Sequence, residues 1–301
     1  MSNLAVIDLG TNTFHLLIVK RSGSKWEEVY RKRVFVNIAE EGIDTLGADC
    51  YRRGIETILD LSSKLREFEV KQTSIFGTAA LRTATNGPSF QAEVAQKTGL
   101  KIKIIDGARE AELIAKGTKS IVDMKVGNYL IMDIGGGSVE FILIQNDKES
   151  YAQSFPIGIT SLYNQVPHGE PISQDEIINI NAYLSKQLKP LEAKISKMNI
   201  DGLVGASGSY EVLEKILSGS IAKDRSRRFP IAAVLEQINR ILKMDFEQRL
   251  LDPNIPKQRA KLIVIAFLLM KYVMNASSID SLVISPYALK EGALIELMNL
   301  D

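Results

Sequence analysis

Residues 6–19 read VIDLGTNTFHLLIV and residues 131–144 read IMDIGGGSVEFILI, one pattern met twice at an offset of 125 across fourteen ungapped positions. Asp8 lies over Asp133, Gly10 over Gly135, Thr13 over Ser138, and Leu16 to Val19 over Phe141 to Ile144. Each copy is an apolar strand ending in Asp, a glycine-bearing turn with Ser or Thr, and a second apolar strand. Such a β-hairpin can turn backbone N–H groups and hydroxyls toward an anion. A repeat of this kind restricts the fold more than any other feature of the chain, because it asks for two similar domains.

The similarity continues past the hairpins. Ser74 to Thr78 (SIFGT) and Leu203 to Ser207 (LVGAS) are short apolar strands running into a small hydroxyl residue and then a helical stretch. Lys101 to Asp106 followed by Ala108 to Lys116 repeats strand, turn and helix, as does Leu282 to Ser285 followed by Tyr287 to Met298. Helical spacing of apolar residues marks Thr57 to Phe68 and Asp175 to Met198. In the second, Ile177, Ile180, Leu184, Leu188, Leu191 and Ile195 suit one buried face, and Pro190 predicts a kink. The expected architecture is α/β in two domains, 1–124 and 125–301, with the last helix able to pack back on the first. Their turns would face each other across a cleft.

Several function classes fall away on composition. Lys plus Arg number 37 against 36 Asp plus Glu, without the basic excess of a nucleic-acid binder. The longest apolar run, Leu262 to Met270, spans nine residues where a membrane helix needs ~20, and reads as a core or dimer-face helix. No cationic segment precedes the first apolar run, which Asp8 interrupts, so no secretory leader is read. The one cysteine, Cys50, has no internal disulfide partner, which favours a reducing, cytoplasmic setting. Two histidines, His15 and His168, and that cysteine argue against a zinc site.

The turns carry the chemistry. In Asp133-Ile134-Gly135-Gly136-Gly137-Ser138, three consecutive glycines cost backbone entropy and forfeit packing, but let N–H groups converge on an oxyanion. Asp133 at the strand end can hold Mg²⁺, directly or through water. Gly10, Thr11, Asn12 and Thr13, after Asp8, offer donors to a second phosphate. No GxxxxGK[ST] occurs, and no GxGxxG follows a strand. Gly205-Ala206-Ser207-Gly208-Ser209 serves equally as a plain strand-end turn or a phosphate or nucleotide contact. Arg82, near a helix start after a strand, can fork onto phosphate or stand as a surface charge. Glu110, in a helix's first turn, suits the macrodipole as well as a site at the sheet edge near Asp8 and Arg82. Arg225, Arg227 and Arg228, or Lys257, Arg259 and Lys261, read as solvated faces, and His15 as a packed hairpin residue.

Together these segments resemble the exopolyphosphatase / guanosine-pentaphosphate phosphohydrolase family of the sugar kinase–Hsp70–actin superfamily. The resemblance rests on AVIDLGTNTFHLLIV, GTAALRTATN, IKIIDGAREAELIAKG, MDIGGGSVEF and PIGITSLY, in order across residues 5–163, and more loosely on GASGS and ISPYALKEGALIEL. It implies two ribonuclease-H-like (actin-like ATPase) domains flanking a cleft, and removal of a terminal phosphate from polyphosphate or guanosine pentaphosphate. By the same resemblance Glu110 activates water, Arg82 holds the phosphate chain, and Asp8 and Asp133 flank Mg²⁺, with Mn²⁺ an alternative. Glu140 matches a further acidic residue nearby. The turns at 10–13 and 135–138, with Gly208 and Ser209, would hold phosphates. Arg259-Ala260-Lys261 with Phe267 departs from the family's pattern, so no ligand contact is carried there. The chain matches the short two-domain form, which favours short substrates, and a homodimer is expected. A small-molecule kinase of the same superfamily and a non-catalytic phosphate sensor are the rival readings.

Overall fold

The computed structural model describes residues 2–23, 25–276 and 279–299. The chain divides into two compact units, one of Met1–Gly117, Gly135–Gly137 and Leu289–Asp301, the other of Thr118–Ile134 and Ser138–Ala288. The first break therefore falls several residues before the boundary expected at 124.

The first unit holds β1 (Asn3–Leu9), β2 (Thr13–Ser22), β3 (Lys25–Phe35), α1 (Ala48–Glu67), β4 (Val70–Gly77), α2 (Ala79–Thr83), α3 (Gly87–Thr98), β5 (Lys103–Ile104) and α4 (Gly107–Lys119). Its sheet runs β3-β2-β1-β4-β5. The second holds β6 (Asn128–Ile134), β7 (Val139–Gln145), β8 (Lys148–Phe155), α5 (Ile159–Gln165), α6 (Gln174–Ile195), β9 (Gly202–Ala206), α7 (Gly208–Ser218), β10 (Arg227–Pro230), α8 (Ile231–Leu242), α9 (Phe246–Leu251), α10 (Ile263–Ala276) and β11 (Ser281–Ile284). Its sheet runs β10-β11-β9-β6-β7-β8. The last helix, α11 (Leu289–Asn299), belongs to the first unit.

The duplication is deeper than the hairpin. Reading the second sheet from its other edge, β8-β7-β6-β9-β11 repeats the order of β3-β2-β1-β4-β5, with β10 added antiparallel. Each repeat is a three-stranded meander, and its irregularities coincide. The register of β2 on β3 shifts between Ile18 and Val19, and that of β7 on β8 between Leu143 and Ile144, the same offset of 125. The third strands leave no sequence signal because both are outer strands without an apolar run, Lys25–Phe35 being rich in charge and Lys148–Phe155 largely polar. Charge is what an edge strand needs to resist pairing with another chain.

Central strands β1 and β6 are apolar on both faces, as strands covered on both sides must be. Ala5, Ile7 and Leu9 join Phe14, Leu16 and Ile18 in one cluster with Ile55, Ile58, Leu61 and Leu65 of α1. Leu4 and Val6, on the alternate face with Asp8, are equally buried, and α11 packs against β1 and β4. In the second unit α6 starts in a capping box between Ser173 and Glu176 and buries Ile180, Leu184, Leu188, Leu191 and Ile195, the face its spacing requires. It runs through Pro190 as one helix. Every residue from Ile263 to Met270 of α10 is buried, so that run is core of this unit rather than an open dimer face. Two further elements differ from the reading: α1 begins at Ala48, not Thr57, and the strand expected over 101–106 shrinks to two residues.

Candidate functional site

In the first unit the strand end, the turn after it, and two helix starts are brought together by parallel pairing. Asp8 is the penultimate residue of β1 and registers with His15 on β2 and Phe76 on β4. Burial pushes its carboxyl from 3.8 up to about 6; the Lys290 ammonium pulls the other way and the Glu291 carboxylate adds to the rise. Glu291 is fully buried, 3.2 Å from Arg31, which Glu28 also holds at 2.9 Å. Lys290 lies 4.0 Å from Glu291. The charges beneath Asp8 thus come from the start of α11 and from β3.

The turn after Asp8 is tied down by its backbone. Gly10 N–H donates to Thr13 O at 3.1 Å, Ile38 N–H to Thr11 O, and both Val36 and Asn37 N–H to Asn12 O. Thr13 Oγ1 and His15 Nε2 are hydrogen-bonded at 2.9 Å. The glycine run of the second copy seats on this turn. A Cβ on Gly136 would lie 2.8 Å from the Asn12 side chain, and one on Gly137 2.8 Å from Ala79 and 2.9 Å from both Ile43 and Thr11. Real Cβ atoms do not approach so closely, so these glycines have a packing reason, where the sequence pattern alone offers a chemical one.

Arg82 and Glu110 meet. Arg82 follows β4 in the short helix α2; its Nη1 donates to Ile105 O at 2.7 Å and lies 3.4 Å from Glu110 Oε2. Among the described residues, its Nε and Nη2 take no protein acceptor, so two prongs of the fork remain for an anion. Glu110, 8% exposed, sits in the first turn of α4. That helix starts where it does because Asp106 Oδ1 accepts from Arg109 N–H at 2.8 Å, a side-chain cap.

In the second unit Asp133 registers with Glu140 on β7 and Ala206 on β9. Glu140 is 1% exposed and accepts from Ser154 Oγ at 2.7 Å. Ser138 and Ser209 are buried. Ser207, which leads into α7, has φ +95, a conformation that costs energy for a residue with a Cβ. Gly208 lies beneath the guanidinium of Arg259: a Cβ there would be 1.8 Å from Nη2. The Tyr210 ring covers Gly205, and burial, then the Asp133 charge, pushes its phenol well up. Among the described residues, no group of three or more His, Cys, Asp or Glu is gathered to hold a metal.

Lys290, Glu291, Arg31 and Tyr210 were not singled out in the sequence. Lys290 and Glu291 leave one signal, adjacent charges at the start of a mostly apolar helix, and their nearness to Asp8 across the chain length has none. Of the basic groups read as solvated faces, Arg227 bonds Ser218 and Ser220, Arg228 bonds Ser281, and Lys261 stacks on Tyr163.

The model of the Ppx/GppA phosphatase family matches residues 17–300. The chain belongs to that family. It is 26% identical over 299 residues to a guanosine-5'-triphosphate,3'-diphosphate pyrophosphatase of Aeromonas salmonicida, and 25% identical over 298 residues to one of Vibrio cholerae. Each alignment covers 98% of this chain and 59% of the relative, so the chain spans under two thirds of their length. An exopolyphosphatase of Cytophaga hutchinsonii superimposes with a TM-score of 0.95 at 29% identity, over 99% of this chain and 98% of that one. A Ppx/GppA family member of Aquifex aeolicus, 20% identical with a TM-score of 0.84 over 100% and 99%, shares the fold. The two-domain actin-like architecture is that of the family.

Proposed function

We propose that this member of the family hydrolyses the terminal phosphoanhydride of inorganic polyphosphate or guanosine pentaphosphate. The observation that carries the reading is the Arg82–Glu110 pair: a nearly buried carboxylate 3.4 Å from a guanidinium with donors to spare. Arg82 binds the terminal phosphate through those donors. Glu110 holds the attacking water and takes its proton as the water oxygen bonds to phosphorus in line. The bridging P–O bond breaks, its electron pair leaving on the shortened chain. Phosphoryl transfer asks mainly for such positioning and charge neutralisation. The turns at 10–13 and 135–137 are the phosphate cradle of the first unit, and Ser138, Gly208 and Ser209 are the phosphate-binding candidates of the second.

Asp8 supports a hard cation, because a carboxylate that burial disfavours regains its charge beside one. Asp8 in the first unit, and Asp133 and Glu140 in the second, are each carboxylates suited to Mg²⁺ or Mn²⁺, and Mg²⁺ ordinarily keeps waters and substrate phosphate oxygens rather than a full protein cage. When bound, the ion neutralises charge that develops on the transferred phosphoryl group. Among the described residues no helix is long and apolar enough to cross a membrane. A cytoplasmic homodimer is the working assembly; with α10 buried, the large exposed apolar residues open to it in the second unit include Ile178 and Leu251.

Purified protein given each substrate in turn, with Mg²⁺ and no acceptor, should release orthophosphate. Release that requires an added hydroxyl acceptor and a nucleotide would make it a kinase. Binding of both substrates without release would make it a sensor.

A further inference from the structure

Helix α11 touches α4 through one face. Gly292 and Glu296 are four residues apart and so share that face. A Cβ on Gly292 would lie 1.9 Å from the backbone oxygen of Leu113, an approach that only glycine permits. One turn on, Glu296 takes Arg109 Nη2 and Lys116 Nζ, residues on either side of Leu113 along α4. Burial raises the Glu296 carboxyl, but the hydrogen bonds from Arg109 and Lys116, and then their charges, together hold it below the usual range. Arg109 is the neighbour of Glu110, and its own N–H is the one that Asp106 caps. The other end of α11 is fixed as firmly: Glu291 is fully buried on Arg31.

We propose that α11 is the positioning element of the active site, with Gly292 and Glu296 setting the depth and attitude of α4 so that Glu110 faces Arg82 and the phosphate. This rests on the hydrolase reading for its functional half. Neither residue is a catalytic residue; both act through Glu110. The lever is short, because Glu110 lies one turn from the carbonyl that Gly292 touches. To admit a methyl group at 292 the two backbones must part by at least about 1 Å, since real Cβ contacts do not fall under 3.0 Å. A displacement of ~1 Å remote from the chemistry can cost about 100-fold.

The test uses Gly292→Ala and Glu296→Gln in the full chain, assayed by phosphate release. Gly292→Ala should lower kcat by about 100-fold with KM unchanged. Glu296→Gln, a partly exposed pair, should lower kcat by about 2- to 5-fold. In a Glu110→Gln background both losses should disappear, because no base is left to misplace. Glu112→Gln, which removes the local partner of Arg109 but no tie to α11, should leave kcat as it is. Unaltered kcat in both α11 variants, full losses in the Glu110→Gln background, or an equal loss in Glu112→Gln would each overturn the proposal. Where Gly292→Ala does not fold, Glu296→Gln carries the same tests. Hydrogen exchange separates the two readings: Glu296→Gln should speed exchange at the 107–112 amides and leave α1 alone. Should the wild type release no phosphate, the hydrolase reading fails, and exchange alone judges the brace, with unchanged 107–112 amides overturning it.

Discussion

At Asp8 burial works against the charged form, and the cost can be measured. In the metal-free protein the folded carboxyl titrates at about 6 and the unfolded one near 3.8. The folded state therefore holds its proton more tightly, and stability falls as pH rises from about 4 to about 6 and stays reduced above. Two pKa units correspond to about 3 kcal/mol at most, and the lost attraction to Lys290 reduces what a substitution recovers. Asp8→Asn should stabilise the metal-free protein by about 1 to 3 kcal/mol at pH 8, near 2 to 4 °C per kcal/mol, and not at pH 4. Thermal melts at both values check it; equal stability at pH 8 would remove the penalty from Asp8. The same variant should lose activity, a trade of stability against function. Glu110→Gln behaves otherwise. It keeps shape and removes the base, so kcat should fall by ~10²–10⁴ while KM holds or improves, less negative charge facing a polyanion. Near-native turnover would move the base elsewhere, with Glu140 the first to test.

The elements most readable in the sequence were those whose pattern is local. The duplicated hairpin showed in fourteen positions, and the buried stripe of α6 in its spacing. What stayed hidden was long-range: β3 and β8 gain their place by pairing with β2 and β7, not by apolar periodicity. Of the candidate site, Asp8, Arg82 and Glu110 are legible as a motif, whereas the Lys290 charge acts on Asp8 only because α11 returns to β1. The glycine run shows its chemistry in sequence but not its packing, because the Asn12 and Ala79 side chains that crowd it lie far away along the chain. That crowding orders two substitutions. At Gly137 the obstacles include the Ala79 Cβ, which cannot swing away, whereas at Gly136 they are one Asn12 side chain. Gly137→Ala should cost about 1 to 3 kcal/mol of stability and Gly136→Ala less. Denaturant midpoints check the order, and a larger loss at Gly136 would show Asn12 to be immovable. Gly136→Ala is then the variant that probes phosphate affinity in a folded protein.

For the whole molecule the near balance of charge, net +1, leaves substrate attraction to local groups rather than to a general field. The candidate residues fall in both units: Arg82, the cation among them, with Asp8 and Glu110 in the first, and Asp133 and Glu140 in the second. Neither unit gathers three metal-ligating side chains among its described residues. A cation held by so few carboxylates must complete its shell with water and phosphate oxygens, so cation and polyphosphate should bind as a set. A ligand at 100 times its dissociation constant adds about 2.7 kcal/mol of stability, about 5 to 11 °C at 2 to 4 °C per kcal/mol. Mg²⁺ alone and an uncleavable diphosphate analogue alone should each raise the melting temperature slightly, and the pair should raise it by more than their sum. EDTA should abolish phosphate release and excess Mg²⁺ or Mn²⁺ restore it. Asp8→Asn should remove the excess of the pair over the sum, because the cation loses an oxygen that the phosphate cannot replace. Strictly additive shifts in the wild type, or full turnover in EDTA, would mean that the anion is held by Arg82 and the turns without a metal ion.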